Sequence, residues 1–347
     1  MEKILLPEHL GFKANLHSHS TDSDGALTPE EMKAFYQKNG YSILGYTDHL
    51  YMRDRSALND ENFVALNGYE NSLNETGSKI YGGKCYHLNF YSPKPDQVGM
   101  VGITERLYTF FNTVCTHKTP EQLALAPLLD EGEDGFCDPT YSVENANAII
   151  KKAKELGYLV VLNHPVWSGQ TESDWKGLQG LTGMEIFNYG GWIGGYEEDA
   201  GYIYDEMLRD GQRICCTAND DNHNRKEYPP FPHDSFGGFN IMYPKKLDYT
   251  SVFNALKDGD LYASTGGILR GVVVKDGKLF VGAENASYIR LTANGRHAQI
   301  KRSLLQPVTE AVFELPEGIK YFRITMKDMQ GRKAYTRAYF QDEWKEE

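Results

Sequence analysis

The segment Asn15-Leu16-His17-Ser18-His19-Ser20-Thr21-Asp22-Ser23-Asp24-Gly25 is dense in side chains that can do chemistry. Two histidines at i and i+2 on a strand project to the same face, so both imidazoles can reach one metal ion. A pair of hydrogen-bonded or surface histidines would give the same pattern, so the pair alone does not decide. Related clusters recur along the chain: Thr47-Asp48-His49, Gly68-Tyr69-Glu70, Tyr86-His87-Leu88-Asn89-Phe90-Tyr91, Asn163-His164-Pro165 and Asp221-Asn222-His223. Each by itself reads as a satisfied polar residue near a strand end. Together they put six of the ten histidines (His17, His19, His49, His87, His164 and His223) at predicted strands or their C-terminal ends, with Asp24, Glu70 and Asp221 among them. About nine donors exceed the four or so that one zinc ion requires, which implies a multinuclear site. Two to three divalent ions are expected, and imidazole with carboxylate suits zinc, manganese and iron alike.

The elements that must position these residues can be read around them. Residues 12–16 form a short predicted strand ending at His17. Thr28 as N-cap, Pro29 at the first helical position and Glu31 closing a capping box start a helix, which Asn39-Gly40 stops. Predicted strands 41–46 and 63–67 deliver His49 and Glu70. Ser142 caps a helix over about 143–156, Gly157 stops it, and the buried strand 158–162 reaches Asn163-His164-Pro165. Further strands are expected at 184–188, 214–218 and 239–243, with a helical stretch at 196–210. This alternation predicts an α/β fold with parallel strands closed into a barrel, in which function collects at the C-terminal strand ends. Region 93–140 breaks the rhythm with Pro93, Pro95, Pro120, Pro127, Pro139 and the acidic run 130–134. It reads as an insertion beside the barrel holding one or two helices, its acidic run a solvated face. After Gly266-Gly267 come short β-rich runs separated by Asp276-Gly277, Asn294-Gly295, Pro316-Glu317-Gly318 and Gln330-Gly331. These are hairpin signals, and they predict a small antiparallel β-sandwich of six or seven strands. The expected domains are 1–265 and 266–347.

Taken in order, NLHSHSTDSDG, YTDHL, GYE, YHLNFY, NHP and NDDNH resemble the motif set of the PHP (polymerase and histidinol phosphatase) superfamily, over roughly residues 10–230. The resemblance implies a distorted (β/α)7 TIM-like barrel with up to three divalent metals. It implies that His17, His19, Glu70 and Asp221 hold the first, and that Glu70 bridges to a second held by His87 and His164. Asp24, His49 and His223 would hold the third. Asp220 rivals Asp221 in NDDNH, and the family's DxH spacing selects Asp221. The stretch 253–266, FNALKDGDLYASTG, is similar to the ALxxGxxYxSTG signature where a PHP barrel joins a C-terminal β domain, as in CehA/McbA-like metal hydrolases. The same STG reads more simply as a turn between domains.

Composition narrows the partners. Lys+Arg is 36 against Asp+Glu 48, a net charge of −12. Such a surface repels long polyanions, which argues against electrostatic binding of nucleic acid or an anionic membrane. Mean hydropathy is −0.53, and no apolar run approaches the ~20 residues of a membrane helix. The start, MEKILLPEHLGF, does not read as a secretory signal. Five cysteines, with no CxxC pair and with Cys215-Cys216 adjacent, argue against a disulfide framework and for a reducing cytoplasm.

The function these observations favour is a metal-dependent phosphoesterase that cleaves a small, anionic ester by a metal-bridging hydroxide. Clustered dications make a cationic pocket inside an acidic protein, which suits a phosphate. An arginine often follows the NHP motif in the phosphatases resembled, and here the run is Asn163-His164-Pro165-Val166-Trp167-Ser168. Hydrolysis of carboxylic or carbamate esters is therefore the rival expectation. A non-catalytic carbohydrate-binding protein is the third, supported only by the β-sandwich. Arg225, Lys226 and His233 are the nearest cationic candidates for substrate contact, and Trp167, Tyr189 and Trp192 are candidates for stacking on a ring.

Overall fold

The computed structural model describes residues 2–75, 83–129, 140–225 and 234–345. Lys226, His233 and the acidic run 130–134 lie outside the described residues. The fold is mixed α/β around one large sheet. Its first strands are β1 (Glu2–Leu6), β2 (Phe12–Asn15), β3 (Ile43–Tyr46), β4 (Val64–Asn74), β5 (Cys85–Tyr91), β6 (Leu159–Leu162), β7 (Gly183–Asn188) and β8 (Cys215–Asn219). β2, β3 and β4 pair in parallel, as do β6, β7 and β8. Beyond β8, the Asp221 N–H donates to His17 O and the His19 N–H donates to Asn222 O. The pairing that starts at β2 therefore returns to the chain just after β2.

Two strands, β5 and the one at Phe239–Met242, depart from the uniform parallel order expected. β5 runs antiparallel to both β4 and β6. Only residues 75–84 separate Asn74 from its partner Cys85. That is enough for an antiparallel return but short of the dozen or more residues that a parallel crossover needs. β4 is also longer than expected, so Glu70 lies inside the strand rather than beyond its end.

Local signals set the helices. Glu31 N–H donates to the Thr28 hydroxyl and Thr28 N–H to the Glu31 carboxylate, closing the capping box of helix Pro29–Lys38. Helix Val143–Glu155 starts at the Ser142 cap and buries Ala146, Ile149, Ile150 and Ala153, the stripe that a helical period produces. The helix expected at 196–210 occupies only Gly201–Arg209. Within 93–140, Thr104 caps helix Glu105–Phe110, a π turn follows over Phe111–Cys115, and Pro120–Leu123 forms a further short helix. Met100, Val101 and Ile103 are buried in the main core, so the start of this region is part of the packed body.

β9 (Phe239–Met242) runs antiparallel to β2 and passes the sheet on to β10 (Leu261–Ser264). The remaining strands are β11 (Leu269–Lys275), β12 (Lys278–Ala293), β13 (Ala298–Arg302), β14 (Val308–Glu314), β15 (Tyr321–Asp328), β16 (Lys333–Thr336) and β17 (Tyr339–Phe340), each paired antiparallel. The Asp276-Gly277 turn has positive φ at both residues (49° and 75°), as a tight two-residue hairpin requires. β12 serves two ribbons. Its first half pairs with β11 and β14 and its second with β13 and β15, with a register break between Gly282 and Ala286. Pairing crosses residue 265: β1 lies against β11, and β10 against β16. Buried Arg323 adds a bidentate pair to Asp205, at 2.6 and 2.8 Å, fastening β15 to helix Gly201–Arg209.

Candidate metal centre

His17 and His19 follow β2, Asp24 lies in the turn beyond them, and His49 follows β3. Glu70 and His87 face each other's strands within β4 and β5. His164 follows β6, and Asp221 and His223 follow β8. Glu70 is the hub. Its Oε1 lies 3.4 Å from His17 Nε2, 3.4 Å from His164 Nε2 and 3.1 Å from His87 Nδ1. Its Oε2 lies 2.8 Å from His49 Nδ1 and 3.5 Å from His19 Nε2. Asp221 Oδ1 is 3.2 Å from His17 Nε2 and 3.0 Å from His19 Nε2. Asp24 Oδ1 is 3.4 Å from His223 Nε2 and 3.9 Å from His49 Nε2. Among the described residues, potential ligand atoms gather into three groups: His17 with His19 and Asp221, His17 with Glu70 and His164, and Asp24 with His19, His49 and His223. His87 belongs to none of the three and reaches them through Glu70.

The surroundings hold these donors in place. Glu185 is buried on β7, and His17 Nδ1 sits 2.8 Å from its Oε1. A carboxylate only accepts, so Nδ1 carries the proton and Nε2 is turned toward the cluster. Glu185 also accepts from His164 N–H (2.9 Å), Asn188 Nδ2 (2.9 Å) and Asn219 Nδ2 (2.8 Å). Asn163 Nδ2 donates to Glu70 Oε1 at 2.7 Å. Buried Asp48 ties down the His19–Asp24 turn by accepting from Ser20 N–H and the Ser23 hydroxyl, and Arg55 pairs with it from behind. His164 (φ 24°) and Asp221 (φ 53°) occupy left-handed backbone, which non-glycine residues adopt at a cost. Glu185 escaped the sequence reading, although a lone carboxylate within the apolar strand GMEIFN was its signal.

The two adjacent aspartates separate cleanly. Asp221 faces the histidines. Asp220 faces away, accepting from the Tyr36 hydroxyl (2.8 Å) and from the N–H groups of Phe236 (2.8 Å), Gly237 (3.0 Å) and Gly238 (3.0 Å). Burial pushes the Asp220 carboxyl up to about 7.

Charge is finely opposed within the cluster. Burial works against the charged forms of Glu70 and Asp221, but the histidines around them outweigh it and hold both carboxyls well below their usual range. Asp24 is lowered in the same way, against burial, by His223 and His49. His17 is held well above 6.5 because Asp221, Glu185 and Glu70 together outweigh its burial. His87 is raised against its burial, chiefly by Glu70. Asp24 lifts His223 to about 9, again against burial. His19 goes the other way, lowered to about 3 by burial and by His49 and His223.

The donor set fits divalent cations. His17 Nε2 and His19 Nε2 face one another at 3.2 Å with carboxylate oxygens beside them, an arrangement that gathers donors around shared points. His19 is buried, belongs to two of the three groups, and its Nδ1 has no hydrogen-bond partner among the described residues.

A cavity of about 280 Å³ opens against Asp221 and His223, lined also by Trp167, Ile193, Arg225, Asp234 and three glycines. Arg225 lies beside the cluster but is engaged: its Nε donates to Asp24 O at 2.8 Å and its guanidinium pairs with the Asp24 carboxylate. The Trp167 ring sits 4.9 Å from that of His164 and 5.5 Å from that of His87. Tyr189 and Trp192 stack on each other at 5.8 Å.

Neither a family model nor a curated protein matches the chain. Solved structures do resemble it. A two-domain protein from Bacteroides vulgatus containing a predicted PHP-like metal-dependent phosphoesterase is similar at 14% identity, covering 97% of this chain and 98% of that one, with a TM-score of 0.42. A proposed metal-dependent phosphoesterase from Bifidobacterium adolescentis is 17% identical over 62% of this chain and 89% of that one, at a TM-score of 0.41. An amidohydrolase from Chromobacterium violaceum is 18% identical over 60% of this chain and 87% of that one, at a TM-score of 0.36. Among the described residues, no helix is long and apolar enough to cross a membrane.

Proposed function

We propose that the chain is a metal-dependent hydrolase of small phosphate esters. In this reading it is built as a distorted (β/α)7 PHP barrel (1–265) carrying a C-terminal β-sandwich (266–347), and it acts in the cytoplasm. The observation that carries it is the convergence of six histidines on three carboxylates at one end of the sheet, with Glu70 within 3.5 Å of five of them. His17, His19, Glu70 and Asp221 would hold one ion, Glu70 with His87 and His164 a second, and Asp24, His49 and His223 a third. Divalent cations supply Lewis acidity and bring the pKa of bound water near neutrality. Three dications against three carboxylates leave a charge of about +3, which suits a phosphate dianion. The protein's own part is positional. Glu185 fixes the tautomer of His17, Asp48 fixes the His19–Asp24 turn, and Arg225, on the cavity wall, restrains Asp24.

A second reading, hydrolysis of carboxylic or carbamate esters, draws on one feature. No cation follows Asn163-His164-Pro165: the next residues are Val166 and Trp167, and Trp167 lines the cavity. The two readings separate on p-nitrophenyl phosphate beside p-nitrophenyl acetate, with the metal-reconstituted protein. Phosphate release without acetate turnover supports the first, and the reverse pattern overturns it.

A further inference from the structure

The indole of Trp167 is 42% exposed, yet its backbone is held firmly. Its N–H donates to the buried Glu198 Oε1 at 2.7 Å, and the next residue closes back on His164 through Ser168 N–H to His164 O (3.0 Å) and Ser168 Oγ to His164 Nδ1 (3.1 Å). A large apolar ring is therefore presented to solvent on fixed backbone, edge-on to His164 and tilted against His87, both candidate metal ligands. The same cavity is walled by Gly190, Gly191 and Gly194, and side chains are kept off that wall. A Cβ on Gly191 would fall 2.7 Å from Glu198 Cγ, and one on Gly190 would fall 3.0 Å from Asp221 O. Ile193 adds an apolar edge, while Asp221, His223, Arg225 and Asp234 mark the charged end. A cavity of about 150 Å³ holds a benzene ring, so about 280 Å³ admits one ring and a phosphate-sized head.

We propose that this cavity is a slot for a flat aromatic ring, with Trp167 as its stacking platform, so that the ester bound there is an aryl, arylmethyl or heteroaryl one. This rests on the hydrolase reading for its chemistry but not for its binding. Stacking of paired rings predicts about a three- to tenfold preference for a ring over an alkyl chain of similar size.

The test compares benzylphosphonate with butylphosphonate by calorimetry on the metal-loaded protein, and benzyl phosphate with butyl phosphate in turnover. Their alcohols are close in basicity, so ring recognition is separated from leaving-group reactivity. The wild type should bind the benzyl compound about three- to tenfold more tightly. Trp167→Ala should bring that ratio toward one, and Trp167→Phe should retain part of it. Equal affinities in the wild type, or an unchanged ratio in Trp167→Ala, would overturn the slot. If neither phosphate is cleaved but the binding preference and its loss are both seen, the slot stands and the hydrolase reading fails. Cleavage of both phosphates with no preference in binding overturns the slot and leaves the hydrolase reading standing.

Discussion

Glu185→Gln should weaken metal binding and lower stability together, although the substitution conserves shape. All four groups bound to the Glu185 carboxylate are donors: His17 Nδ1 and Asn219 Nδ2 on Oε1, and His164 N–H and Asn188 Nδ2 on Oε2. A glutamine amide has one accepting end. Whichever way it is turned, its NH2 must face two N–H donors, so two hydrogen bonds to a charged acceptor are lost. At roughly 1.5–3 kcal/mol each, the loss is about 3–6 kcal/mol, a large share of the ~5–15 kcal/mol that holds a domain folded. His17 Nδ1 is left with a neutral acceptor or, in the other orientation, with none. The carboxylate that fixes its tautomer is lost either way, and such outer-shell changes cost roughly 10–100-fold in metal affinity. Chelator-competition titration measures the affinity, and urea denaturation of the metal-free protein measures the stability. A Glu185→Gln protein within twofold of wild type in affinity and unchanged in stability would refute the supporting role given to this carboxylate.

Further outcomes follow from the same cluster. In the metal-free protein His223 is raised from 6.5 to about 9, so its contribution to stability is fully present below pH 6.5 and is lost as pH rises through about 9. Denaturation midpoints across that range should show a decline at the alkaline end that added metal suppresses. Protons on His17, His87 and His223 compete with cations, so metal affinity should rise with pH and binding should release protons; calorimetry in buffers of differing ionisation enthalpy reads this, and buffer-independent heats would contradict it. Asp221→Ala should lose metal while keeping its fold, whereas Asp220→Ala should lower the melting temperature by stranding the N–H groups of Phe236, Gly237 and Gly238. Metal loss confined to Asp220→Ala would reverse the assignment.

Much of the site was legible because donor-rich motifs declare themselves locally. HSH, TDH and DNH place donors at the ends of short apolar runs, and the structure brings those ends together around Glu70. Helix starts were equally local: the Thr28–Glu31 box and the Ser142 cap lie within four residues of the hydrogen bonds they make. Strand direction is different. YHLNFY looks like a strand whichever way it runs, and the antiparallel course of β5 is set by the short return from β4. The pairing of β1 with β11 joins residues more than 260 apart in sequence, so nothing near Glu2 announces it. Glu185 was hidden for a related reason. Its partners come from the turn after β6, from β8 and from the turn after β2, and only the closed pairing assembles them.

The most direct measurement is the number of metal ions per chain in gently purified, active protein, by inductively coupled plasma mass spectrometry alongside a rate assay. Three overlapping donor groups predict more than one ion per chain, two to three at full occupancy, with activity tracking the count as chelator removes them. Full activity with one ion or fewer per chain would contradict the multinuclear centre.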